Sequence, residues 1–286
     1  MVISVPGCEE TGIPPVTRPI EDLGMVVIDH RQVTLTSGLM QALIENQTAV
    51  LTCDSRGLPS AMLLPLVGNS VQTERYRVQM EASLPLQKQL WQQTVSAKIT
   101  NQAQCLQQCV GAEIGNMEKW AKNVRSGDGD NLEARAAVYY WKELFGKQFP
   151  MFYRSQDGFP PNNLLNYGYA ILRSLVARSL VISGLLPTLG IFHHNRYNPY
   201  CLADDIMEPY RPYVDRLVCH IIEKLPDIGV LTKAHKQELL AIPTLDTYIG
   251  GQRSPLMIAV GQTTASLYRC FSGQQRLITY PDMSKG

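Results

Sequence analysis

The sequence predicts an α+β protein, with an N-terminal β-sandwich-like domain followed by a larger all-α domain. Three observations carry this. Residues 1–66 hold short β-type runs between turn residues. From about Thr73 the apolar spacing changes to a period near 3.6 and keeps it. The chain of 286 residues is 45% apolar and 18% charged, an ordinary globular composition able to bury a sizeable core. Its length exceeds one typical compact domain, so it divides into 1–66, a connector "VGNSVQ" at 67–72, and 73–286.

In chain order, "GMVVID", "QVTLT", "TAVLTCD" and "AMLLPL" read as strands, punctuated by Pro14-Pro15, Gly24, Asp54 and Gly57. Between two of them, "SGLMQALIENQ" places Leu39, Leu43 and Ile44 at helical spacing, so one short helix crosses this part. The stretch from Gln72 to Val110 reads as long helix, its many glutamines forming a polar surface. Strong breaks follow at "SGDGDN", "DGFPPNN" and "HHNRYNPYC". The apolar run "ILRSLVARSLVISGLLPTLGIF" carries Arg173 and Arg178 and is broken by Gly184, Pro187 and Gly190, which makes it a core helix and not a membrane span.

With 26 basic against 25 acidic residues the net charge is +1, so any polyanion site must be a local patch. Two basic groups are available, Arg75, Arg77, Lys88 and Lys98, then Lys119, Lys122 and Arg125. Seven scattered cysteines without a C-x-x-C pair argue against a disulfide scaffold or structural zinc and for a reduced, cytoplasmic protein. The start "MVISVPGCEETGIPP" lacks the basic and apolar segments of a signal peptide, so export is not expected.

Three motifs could carry chemistry. In "SGDGDNLEARAAVYYW" a Gly/Asp loop opens into a helix with Glu133 in its first turn; Asp130 followed by Glu133 equally has the spacing of a helix cap. In "GIFHHNRYNPYCLADDIMEP" adjacent histidines precede Asp205 and Glu208, three apart on one helical face, with Asp204 turned elsewhere. Here Asp204 or Asp205 could simply cap the helix, while one imidazole with two carboxylates would suit Mg²⁺ or Mn²⁺. In "PPNNLLNYGYAILRS", Asn163, Asn166, Tyr167 and Tyr169 could contact phosphates or bases, or serve as caps and core edges.

Taken in order, "AKITNQA", "SGDGDNLEARAAVYYW", "NNLLNYGYAILRS" and "GLLPTLGIFHHNRYNPYCLADDIMEPYRPYVD" make the chain resemble the CRISPR-associated adaptation endonuclease/integrase family over nearly its whole length, type II members above all. The resemblance implies a divalent metal, Mg²⁺ or Mn²⁺, held by Glu133, His193 and Glu208, with Asp205 as a weaker further ligand. Of the paired histidines, His193 holds the G-x-x-H place and lies fifteen residues before Glu208. Lys98, Asn101, Asn166, Tyr167 and Arg173 are the expected DNA contacts. Members of the family it resembles usually carry about twenty residues more ahead of "MVIS", enough for a strand and hairpin, so the expectation is either a misassigned start or a truncated sandwich.

The implied activity is insertion of short double-stranded DNA fragments into a repeat array by 3′-hydroxyl attack on a phosphodiester. Implied partners are double-stranded DNA, a second copy of the chain, a dimer of the small second adaptation protein bridging two such homodimers, and an effector nuclease. No membrane is involved. The competing expectations are a DNA-binding assembly scaffold with weak or lost catalysis and a zinc hydrolase of small substrates.

Overall fold

The computed structural model describes residues 1–4, 12, 14–55 and 57–285, so Cys8 lies outside the described residues. Among these the chain mixes helix and strand and separates into two compact units, 1–66 and 67–286.

In the first unit, β1 (Val2–Ile3) pairs antiparallel with β2 (Val16–Thr17). A second sheet has the order β3 (Met25–Ile28), β4 (Ala49–Cys53), β5 (Pro59–Leu63), with β3 and β4 parallel and β5 antiparallel. Parallel neighbours need a crossover, and helix α1 (Ser37–Glu45) supplies it. Its Leu43 is buried, as are Ala49, Val50 and Leu51 of the central strand. "QVTLT" forms no strand. Thr36, its last residue, is the N-cap of α1 and accepts a hydrogen bond from the Leu39 amide, so the start of a helix overrides β propensity there.

The second unit begins with α2 (Gln72–Met80) and α3 (Leu84–Val110). Ser83 caps α3, Pro85 lies in its first turn, and Gly111 ends it in the left-handed region. At 27 residues, α3 is the axis of this unit. It buries Leu90, Trp91, Thr94, Val95, Lys98, Asn101, Cys105 and further residues at helical spacing. The glutamines here are not all surface residues. Gln79 is buried and donates to the carbonyls of Leu186 and Leu189, and Gln102 is buried too.

After α4 (Gly115–Asn123) come α5 (Leu132–Trp141) and the core helix α6 (Asn162–Ile182), then α7 (Cys201–Met207), a short 3₁₀ turn (Glu208–Tyr210) and α8 (Arg211–Lys224). No helix among the described residues is long and apolar enough to cross a membrane.

This unit is not all-α. Following α9 (Lys233–Leu239), strands β6 (Asp246–Ile249) and β7 (Gln252–Pro255) form a hairpin ahead of α10 (Leu256–Phe271). Its two-residue turn is Gly250-Gly251, both with positive φ, the backbone that tight hairpins require and glycine adopts without strain. Thr247, Tyr248 and Ile249 supply the β-favouring side chains.

Candidate metal centre

Glu133 reaches the centre from the first turn of α5. The loop before that helix places Asp128 with positive φ, and its carboxylate accepts from the amides of Leu132 (2.9 Å) and Glu133 (3.0 Å). Thus Asp128 satisfies the open helix end, and Asp130 does not. Asp130 instead faces Arg125 at 3.5 Å on the surface. Two αL residues, Asp128 and Asn131, turn the loop back so that the capping acid comes from further upstream than simple spacing indicates.

His193 is held by a different acid. Asp205 on α7 is fully buried and accepts from the amides of Ile191 (2.7 Å), Phe192 (3.0 Å) and His193 (3.2 Å) and from His193 Nδ1 (2.5 Å). It therefore anchors a loop and does not cap its own helix. With Nδ1 donating to a carboxylate, the Nε2 lone pair of His193 is left to ligate. The hydrogen bond to Asp205 raises the imidazole pKa, while burial lifts that of Asp205 against the donors that pull it down.

Gly190 makes this loop possible. A Cβ there would lie 2.3 Å from the His193 carbonyl oxygen and 2.8 Å from Asp205 Oδ2, so no other residue fits without shifting both. Phe192 stacks on buried Trp91 of α3, centroids 4.2 Å apart and rings nearly parallel, and His193 meets Trp91 edge-on.

Glu208 follows α7 and is buried. Its Oε2 lies 2.6 Å from Lys98 Nζ, and the same ammonium is 2.6 Å from Glu133 Oε1. Arg211 Nε stands 3.0 Å from Glu208 Oε1. Burial would raise the Glu208 pKa, but Arg211 and Lys98 outweigh it and hold the carboxyl below its ordinary value. Burial would likewise depress Lys98, and Glu208 and Glu133 together reverse that. The centre is thus two carboxylates converging on one cationic position, filled by Lys98, beside an oriented imidazole.

Among the described residues, no three His, Cys, Asp or Glu side chains stand close enough together to hold a metal ion. The donor chemistry nonetheless fits a hard divalent cation: two carboxylates, one imidazole nitrogen and no thiolate. Glu208 Oε2 strengthens the fit, being buried with no partner at hydrogen-bonding angles although the ammonium is near.

A protein-family model described as "CRISPR associated protein Cas1" matches residues 9–227. The chain belongs to the Cas1 family. It is 38% identical over 251 residues to the CRISPR-associated endonuclease Cas1 of Neisseria meningitidis serogroup C, covering 87% of this chain and 81% of the relative. In fold it is similar to a casposase bound to integration product (TM-score 0.76, 19% identity, 95% of this chain and 84% of that one). It is also similar to a chain of a Cas6-RT-Cas1–Cas2 complex (TM-score 0.66, 22% identity, 89% of this chain and 32% of that one).

Within this Cas1-family chain, the expected DNA contacts separate into two kinds. Asn101 is buried, donates to the carbonyls of Pro209 and Pro281 and accepts from the Met283 amide, so it ties α3 to later segments. Tyr167 is 1% exposed and belongs to the core. Asn166 donates to the Gln156 carbonyl, and Lys98 serves the carboxylates just described. Arg173 keeps a side chain 43% exposed while pairing with Asp204 at 2.6 Å. Asn198 donates to the other oxygen of Asp204, which is how that acid turns away from the centre.

Spacing alone could not reveal Lys98 as a centre residue or Asp205 as the holder of His193. The only signal for Lys98 was its place on the apolar face of a long helix, where an unpaired lysine would be costly.

Proposed function

We propose that the chain is the metal-dependent endonuclease and integrase of CRISPR adaptation, joining short double-stranded DNA fragments to a repeat array by attack of a fragment 3′-hydroxyl on a phosphodiester. One observation carries the reading: Glu133 and Glu208, far apart in sequence, meet at a single buried cation position beside an imidazole oriented by Asp205. Glu133, His193 and Glu208 would hold Mg²⁺ or Mn²⁺, which supplies Lewis-acid stabilisation of charge on the phosphate oxygens. Asp205 fixes the tautomer and direction of His193. Arg211 keeps Glu208 ionised, and Arg173, partly exposed, is placed to meet a DNA phosphate.

In this reading residues 1–66 are a β-sandwich-like domain, 67–72 a connector and 73–286 the catalytic domain. The protein acts in the cytoplasm as a homodimer, two dimers bridged by Cas2. The family membership and the names of the similar complexes, Cas1–Cas2 and DNA-bound casposase, support DNA and Cas2 as partners.

A plasmid integration assay with Cas2, Mg²⁺ or Mn²⁺ and a fragment bearing free 3′-hydroxyls tests the reading. Glu133→Gln keeps the side-chain shape and should lower strand transfer more than about 100-fold with fragment binding intact. Equal integration by the variant would refute the assigned centre. A second reading, a DNA-binding scaffold with lost catalysis, draws support from Lys98 standing where the metal would sit. It requires the unaltered chain to bind fragments without joining them under every divalent metal tried.

A further inference from the structure

Asn101, expected from the sequence to contact DNA, is 1% exposed and uses both ends of its amide inside the protein. Its Nδ2 donates to the carbonyls of Pro209 (2.8 Å) and Pro281 (3.0 Å), and its Oδ1 accepts from the Met283 amide (3.0 Å). Two carbonyls at one end and an N–H at the other admit a single orientation, since turning the amide over would set oxygen against oxygen and N–H against N–H. A buried amide satisfied in this way holds its partners rigidly.

The Pro209 carbonyl belongs to the residue directly after Glu208. Pro209 in this turn and Pro212 in the first turn of α8 bring no N–H, so the backbone here has fewer bonds of its own than a continuous helix would. Helix α3 supplies the missing hold. Lys98 and Asn101 are three residues apart on it and share a face. The first meets the Glu208 carboxylate at 2.6 Å, and the second holds the backbone next to it.

The other side of Asn101 is closed by the C-terminal segment. Thr94, Asn101 and Gln108 recur every seven residues, about two turns of α3, and so lie along one stripe. Each bonds the segment: Thr94 the Tyr280 hydroxyl (2.8 Å), Asn101 the backbone of Pro281 and Met283, and Gln108 Nε2 the Met283 carbonyl (3.2 Å). Asn101 also holds the Glu208 turn, whereas Thr94 donates to the Leu90 carbonyl and Gln108 accepts from Arg216.

We propose that Asn101 is a positioning residue for Glu208: it fixes the backbone beside that carboxylate, and the C-terminal segment fixes Asn101. The inference rests on the proposed metal centre and adds the amide that sets where one of its ligands stands. Without Asn101 the Pro209 carbonyl loses this hold, Glu208 is free to move away from Glu133, and a cation between the two is bound less tightly.

The test titrates the full-length protein with Mn²⁺ and follows its urea unfolding in EDTA. Asn101→Leu keeps the volume and deletes all three bonds, while Thr94→Val deletes a bond to the same segment and none to the Glu208 turn. Both should unfold at lower urea than the parent. Asn101→Leu alone should lose Mn²⁺ affinity, by about tenfold or more, as removal of a residue that orients a metal ligand does. Should it not fold, Asn101→Ser leaves a polar space that a water can fill and should show the same loss. Fragment binding in EDTA should be unchanged, which a direct DNA contact would not allow. The inference is overturned if the Asn101 variants keep Mn²⁺ affinity while Glu208→Gln loses it, if Thr94→Val loses as much, or if fragment binding weakens; each leaves the integrase reading standing. If Glu208→Gln also binds Mn²⁺ as the parent does, the centre itself is misassigned and the inference falls with it.

Discussion

Lys98 brings its ammonium within 2.6 Å of both Glu133 and Glu208 with a side chain only 10% exposed, so three charges share a site nearly closed to water. Removing one partner of a buried charge set leaves the others uncompensated, which typically costs about 3–5 kcal/mol. Lys98→Met keeps length and apolar contact while deleting the charge. In chelator the variant should therefore unfold at clearly lower urea than the parent. Divalent metal should reverse more of the loss than it adds to the parent, because no ammonium has to be displaced. Urea titrations with EDTA and with Mn²⁺ check this, and equal midpoints in EDTA would mean that Lys98 does not hold the carboxylates together. The residue types of the centre were legible from motifs: an acid opening a helix, a histidine after a glycine turn, an acid after a short helix. What was not legible is which side chain holds which. The cap at Glu133 depends on αL residues at 128 and 131, and the anchor of His193 on a close approach that only Gly190 permits.

At the scale of elements, three helices meet at one buried carboxylate. Asp215 of α8 accepts from Tyr140 of α5 at 2.8 Å and from Tyr169 of α6 at 2.5 Å, and burial pushes its pKa up to about 7 against those two bonds. An unfolded aspartate titrates near pH ~4. Between roughly pH 4 and 7 the native chain holds a proton that the unfolded chain has lost, so stability falls as pH rises, by up to about 1.4 kcal/mol per unit. Above pH ~7 and below pH ~4 this contribution is flat. Asp215→Asn has no such slope. Urea unfolding of both proteins at several pH values should show the parent losing ground to the variant across that window; a pH-independent difference would rule out a raised Asp215. This junction is not legible in the sequence because Tyr140, Tyr169 and Asp215 sit at ordinary core spacings, and only packing of three separate helices brings them together. The helices themselves were legible from apolar period and from breaks at glycine, proline and asparagine. The 246–255 hairpin, although marked by Gly-Gly, was too short to interrupt the helical pattern around it.

For the whole molecule, the sequence changes from β-type to helical pattern along its length, and the structure separates into the compact units 1–66 and 67–286. Such a change is readable because it sums over many residues, whereas pairing order within the first unit is not: parallel β3 and β4 follow from where α1 crosses, which no local pattern specifies. The junction is narrow. Leu66 is 95% and Val67 75% exposed, yet by Asn69 the chain is fixed again, its amide donating to the Ile182 carbonyl. Gly68 lies so close to Val181 that a Cβ would stand 2.4 Å from its carbonyl oxygen. Exposed apolar residues in a connection without secondary structure are where proteases cut first, so thermolysin under native conditions should cleave first at Leu66–Val67. The larger product holds Lys98, Glu133, His193, Asp205, Glu208 and Arg211 with the hydrogen-bond partners described for each, so it should unfold cooperatively and bind Mn²⁺ as tightly as the whole chain. Mass spectrometry of the first product and Mn²⁺ titration of the isolated fragment decide the matter. A first cut in the 126–131 or 193–200 loops would refute the predicted site, and a fragment with weakened Mn²⁺ binding would show that the centre depends on residues 1–66 and is not self-contained in the helical unit.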